Sequence, residues 1–116
     1  MSSTPGTAVF AALADPVRQQ LLTTLATRQQ GASATRLAGP LPVSRQAVDK
    51  HLRILQHAGL VTSARRGREV RYTVQPEALE NCAMWLNELA RQWDQRLAHL
   101  KNIAEETPAR APEETP

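Results

Sequence analysis

The sequence predicts a mainly α-helical chain that carries one two-stranded β-hairpin. Three observations predict it. Apolar residues recur at three- and four-residue spacing in several separate segments, residues that start and stop helices bracket those segments, and residues 60–74 read as paired strands around a glycine. A length of 116 residues is expected to give one domain and one core, so that sensing and binding share a single fold.

Residues 1–7 read as a flexible lead-in to a domain over residues 8–104. Ala8 to Ala14 form a short helix, apolar nearly all round, that needs cover on more than one side. Asp15 then places a capping carboxylate before Pro16, whose missing N–H costs nothing at the first helical position. A second helix starts there, with Val17, Leu21 and Leu25 inward, Arg18, Gln19 and Thr23 outward, and Gly31 as its stop. Ser33 caps a very short third helix through Ala38, ended by Gly39-Pro40. Ser44 caps the fourth, in which Ala47, Val48, Leu52, Ile54 and Leu55 are the apolar positions and Ala58-Gly59 the end.

Two helices joined by a tight turn, the second polar on one side and apolar on the other, form a helix-turn-helix. The polar side holds Arg45, Gln46, Asp49, Lys50 and Arg53. Residues 60–65 and 69–74 are the strands of the hairpin, with Val70, Tyr72 and Val74 on one face and Arg66-Gly67-Arg68 as the connection. From about Pro76 to Ala104, Leu79, Leu86, Trp93 and Leu100 are spaced by seven, with Ala83, Ala90, Leu97 and Ala104 four residues after each. Such a heptad seam predicts a helix that pairs with its copy in a second subunit. Residues 105–116 are rich in Pro, Glu, Thr and Ala and are expected to be a disordered tail.

Charge is sorted along the chain. Residues 45–71 hold seven basic side chains and two acidic ones, whereas residues 72–116 hold four basic and eight acidic ones. The middle of the chain is thus suited to a polyanion and the end is not. A single cysteine, Cys82, makes no intramolecular disulfide, no leader-like start is evident, and no apolar run approaches a membrane span, so a cytoplasmic protein without membrane partner is expected. No nucleophile–base arrangement, phosphate-cradling glycine loop or paired-carboxylate motif points to an enzyme, and none points to a cofactor.

The segments Phe10 to Arg18, Val43 to Val61 and Arg65 to Tyr72, in this order, resemble the arsenic-repressor (ArsR/SmtB) family of bacterial winged helix-turn-helix regulators. The resemblance implies a dimeric, autoregulatory repressor of pseudo-palindromic double-stranded DNA, with the fourth helix in the major groove and the wing on the flanking backbone. It places DNA contacts at Ser44, Arg45, Gln46, Asp49, Lys50 and Arg53 on the helix and at Arg65, Arg66, Arg68 and Arg71 on the wing. Dimer contacts fall on Val9, Phe10, Leu13, Leu79, Ala83, Leu86, Ala90, Trp93, Leu97 and Leu100.

The sequence departs from metal-sensing members. It has no cysteine on the third helix, and Asp94 and His99, five residues apart, turn to different faces of the last one, so no metal site is expected. Asp49 stands where many relatives carry a small hydroxyl; it either accepts from a cytosine amino group or, as the better reading, holds Arg45 and Arg53 one turn away. His51 reads as a half-buried histidine bonded to backbone or phosphate, and His57 and His99 as surface residues. Cys82 reads as a small buried apolar group, with a redox or thiol-ligand sensor as the alternative. Trp85 and Trp93 read as interface packing, and a small-molecule effector between subunits is open but unsupported. Two other functions remain: an assembly module whose last helix is the working part, and a metal-responsive repressor with unusual ligands.

Overall fold

The computed structural model describes residues 6–106, so the expected tail beyond Glu106 and the first five residues lie outside the described residues. Five helices and three strands follow in the order α1 (Thr7–Leu13), α2 (Pro16–Ala26), β1 (Ala32–Ser33), α3 (Ala34–Ala38), α4 (Arg45–His57), β2 (Val61–Arg66), β3 (Glu69–Val74) and α5 (Pro76–Glu106). Two compact units are distinguishable, divided within α5 after Cys82.

Helices α2, α3 and α4 each start where a side-chain oxygen takes up free amides, whereas α1 starts after Gly6 without a side-chain cap. Asp15 Oδ2 accepts from Val17 N at 2.9 Å and Arg18 N at 3.1 Å, Ser33 Oγ from Arg36 N at 3.2 Å, and Ser44 Oγ from Ala47 N at 3.1 Å. The same bonds set the charge state of the first cap. The amide of Arg18, foremost, holds the Asp15 carboxyl below its usual 3.8, helped by the charge of Arg18 and the amide of Val17 and opposed by partial desolvation. At its other end α4 closes with Gly59 N on Gln56 O and Leu60 N on Leu55 O, the paired bonds of a Schellman turn.

The core of this unit is aliphatic. Leu21, Leu25, Val48, Leu52, Leu55, Leu60 and Val61 are fully buried, and Val9, Leu13, Val17, Tyr72, Val74 and Leu79 pack partly against them. A fully buried leucine contributes about 1.5–3 kcal/mol, several times an exposed ion pair within a helix. Packing of Val48, Leu52 and Leu55, not surface charge, therefore holds α4 in place.

The sheet has three strands in the order β1-β3-β2, all antiparallel. The sequence reading had two. The third, Ala32 opposite Tyr72 and Ser33 opposite Arg71, is too short to carry an alternating pattern of its own. Gly31, expected to stop α2, lies five residues past Ala26 and instead admits this strand. Its φ is +80°, and a Cβ there would sit 2.4 Å from the carbonyl oxygen of Tyr72. Of Val70, Tyr72 and Val74, expected on one face, Tyr72 and Val74 are half-buried, whereas Val70, near the hairpin tip, is 40 % exposed.

In the second unit, α5 is solvent-exposed on nearly every side. Leu86, Trp93, Leu97 and Leu100 are each 51–58 % exposed. No helix among the described residues is long and apolar enough to cross a membrane.

Candidate nucleic-acid interface

With Val48, Leu52 and Leu55 turned into the core, helical periodicity dictates what faces outward on α4. Arg45, Gln46, Lys50 and Arg53 are exposed, as is Ser44 at the cap, and Asp49 is half-buried. Asp49 Oδ2 lies 3.9 Å from Arg45 Nε, and the arginine side chain remains 64 % exposed. No Asp49–Arg53 ion pair forms among the described residues, so the carboxylate steadies one guanidinium and not two.

The wing tip is tighter than the sequence suggests. Arg66 pairs with Glu69 in the ladder, which leaves only Gly67 and Arg68 as the turn, and Gly67 takes φ +64°. Arg65, Arg66 and Arg68 are exposed. Arg71 is half-buried, and its Nε donates to Glu69 Oε1 at 2.9 Å. The two basic elements meet: Arg45 and Asp49 of α4 and Arg68, Glu69, Val70 and Tyr72 of the wing line one cleft of about 530 Å³. Its remaining wall is Ser33, Ala34, Thr35 and Arg36 of β1 and α3. Arg53 lies elsewhere, beside Gln56 and His57, and Arg71 borders a second depression with Arg28 and Arg36.

Two arginines outside the sequence-based site have roles in its geometry. Arg18, expected to face outward, turns back instead. Its Nε donates to Ala12 O at 2.7 Å and its Nη2 to Ala11 O at 3.2 Å, the latter beside the amide of Ala14 that already bonds that carbonyl, so the arginine caps the end of the short α1. Its Nη1 lies 3.1 Å from His51 Nδ1. Arginine has no acceptor, so Nδ1 takes the bond and the imidazole is tied to α2 from the back of α4. Asp15 Oδ2 lies 3.9 Å from the same nitrogen. Arg36, the second, lines the cleft; the signal available was an exposed arginine on the helix just before the turn.

The residues expected at the subunit contact fall into two groups. Val9, Phe10 and Leu13 of α1 and Leu79 of α5 are half-buried in the first unit. Ala83, Leu86, Ala90, Trp93, Leu97 and Leu100 are exposed on the second. Leu89 was missed, although it stands three residues after Leu86 and four before Trp93; it is 37 % exposed and continues the stripe. Trp93 also carries the guanidinium of Arg96 at 5.1 Å from its ring centre. Cys82 is buried as a free thiol. Among the described residues, no group of three or more His, Cys, Asp or Glu side chains converges as metal ligands.

Comparison with known proteins places these features. A helix-turn-helix domain family matches residues 13–64. Among solved structures, an ArsR-like transcriptional regulator from Rhodococcus sp. RHA1 is 47 % identical, with a TM-score of 0.77 over 86 % of this chain and 90 % of its own. The transcriptional repressor SdpR of Bacillus subtilis is 26 % identical over 89 residues, 77 % of this chain and 97 % of that protein. An HTH-type transcriptional regulator of the same organism, YuzN, is 41 % identical over 66 residues, 53 % of this chain and 72 % of that protein.

Proposed function

The chain belongs to the ArsR-like family of winged helix-turn-helix transcriptional regulators, which are not enzymes, and on that premise we propose that it represses transcription as a homodimer bound to a pseudo-palindromic operator. Arg45 and Gln46, in the first turn of α4, read base edges in the major groove, where arginine and glutamine make bidentate pairs with guanine and adenine. Ser44, Lys50 and Arg53 flank them, Asp49 holds Arg45, and Arg65, Arg66, Arg68 and Arg71 of the wing take the phosphates alongside. The observation that carries the reading is the shared cleft, because the outward face of α4 and the wing tip border one depression and so meet one duplex. Repression is supported by the relative named as a repressor. Its place of action is where the DNA is, in the cytoplasm.

The dimer is the second part of the proposal. The domain over residues 8–104 supplies the DNA-reading elements, and its helix from about Pro76 to Ala104 pairs with the partner's through Ala83, Leu86, Ala90, Trp93, Leu97 and Leu100. Val9, Phe10, Leu13 and Leu79 add to it.

The test is binding of the purified chain to duplex from its own upstream region against a scrambled duplex, over a range of salt. Gln46→Ala is expected to cost ~1–3 kcal/mol on the upstream duplex and little on the scrambled one. Arg66→Ala with Arg68→Ala is expected to weaken both equally and flatten the salt dependence by roughly one unit of log slope per contact. Equal loss on both duplexes for Gln46→Ala refutes base reading, and an unchanged slope for the arginine pair removes the wing from the interface.

A further inference from the structure

We propose that the cleft between α3, α4 and the wing seats the backbone of one DNA strand, with Arg36 as a phosphate contact from the α3 side. The proposal rests on the DNA-binding reading above and adds a third element to it. Three guanidinium groups, from Arg36, Arg45 and Arg68, and two carboxylates, from Asp49 and Glu69, line the cleft. The carboxylates are already engaged. Asp49 pairs with Arg45 at 3.9 Å, and Glu69 is taken by Arg71 at 2.9 Å. Arg36 and Arg68 are exposed and form no ion pair among the described residues. Two cations without counter-charge thus stand on different walls of one depression, between a wing and a reading helix that both meet the duplex.

Phosphodiester fits this chemistry. A guanidinium fork matches two phosphate oxygens, and an unpaired one on the surface gives up no competing partner when it binds. The position of Arg36 does not depend on its side chain, since Ser33 Oγ holds its backbone amide and Ala34 and Leu37 anchor α3 in the core. Arg28 is the natural comparison: it is also exposed and shares the neighbouring depression with Arg36, but it does not line the cleft.

The experiment measures affinity for one duplex between about 50 and 200 mM salt for the wild type, Arg36→Ala, Arg36→Lys and Arg28→Ala. Circular dichroism verifies that each variant is folded. Loss of one phosphate contact lowers the log–log salt slope by about one, so that Arg36→Ala loses roughly fourfold less affinity than the wild type across that range. Arg36→Lys is expected to keep most of the slope, and Arg28→Ala nearly all of it. A wild-type slope in folded Arg36→Ala overturns the proposal and leaves the DNA-binding reading standing. Equal loss in Arg28→Ala also overturns it, because diffuse charge and not a seated strand is then at work. A wild type that binds no duplex overturns both.

Discussion

Leu97→Ala on α5 is expected to weaken the proposed dimer about thirtyfold while leaving the subunit folded. Leu97 is 58 % exposed, so roughly half of its side chain is already covered and half is left for a partner. Full burial of leucine is worth about 1.5–3 kcal/mol, which puts the remaining half near 1 kcal/mol. Symmetry counts the residue twice, giving about 2 kcal/mol per dimer, and each 1.4 kcal/mol is about tenfold in dissociation constant. Applied to Leu86, Trp93, Leu97 and Leu100 together, the same reasoning yields about 8 kcal/mol. Association itself costs about 4–15 kcal/mol, so the stripe alone makes at best a weak dimer and α1 and Leu89 are needed as well. Sedimentation across dilution measures the dissociation constant, with Gln95→Ala, an exposed polar neighbour off the stripe, as the control. A wild type that is monomeric at every concentration, or a Leu97→Ala dimer within twofold of wild type, refutes the reasoning.

Gly31→Ala is expected to cost 1–3 kcal/mol or more, about the range for a strained backbone, because φ +80° and a Cβ 2.4 Å from Tyr72 O force β1 and β3 apart. Gly67→Ala, with open space at its Cβ, loses less; urea unfolding compares the two, and equal midpoints would contradict the clash. For Asp15, whose folded carboxyl titrates below 3.8, the ionised cap stabilises the fold above that value and is lost as pH falls through the folded one. Wild type is therefore expected to lose stability more steeply below 3.8 than Asp15→Asn, which retains an acceptor without the titration; parallel melting curves from about pH 2 to 6 would exclude the linkage.

The parts of the fold visible in the sequence were those written in local chemistry. Asp15, Ser33 and Ser44 mark helix starts because a capping oxygen acts within three residues of itself, and the same locality makes the arginine-rich hairpin legible. What failed depends on distant partners. β1 is two residues long and exists only because β3 runs beside it, so no pattern in residues 32–33 could announce it. Arg18 looks like a surface residue by helical period, and nothing nearby in sequence reveals the carbonyls of α1 or the imidazole of His51, 33 positions on. Arg36 was passed over for the same reason: its importance follows from the wing and α4 closing around it. Leu89 was a different failure: the stripe was read at steps of seven and four, and the residue three after Leu86 fell between them.

A helix in the role proposed for α4 faces a physical conflict that these contacts resolve. The side chains that meet DNA must stay solvated and mobile until the duplex arrives, so they contribute little to fixing α4. Position therefore has to come from behind. Val48, Leu52 and Leu55 supply depth through burial, but apolar packing is non-directional and tolerates small rotations about the helix axis. Directional bonds restrict such rotation. The link from Arg18 to His51 Nδ1, on the side of α4 away from Arg45 and Asp49, joins the helix to the carbonyls at the end of α1. Under the DNA-binding proposal, the orientation of Arg45 and Gln46 rests on a bond made by neither of them, at the junction where α1 hands over to α2.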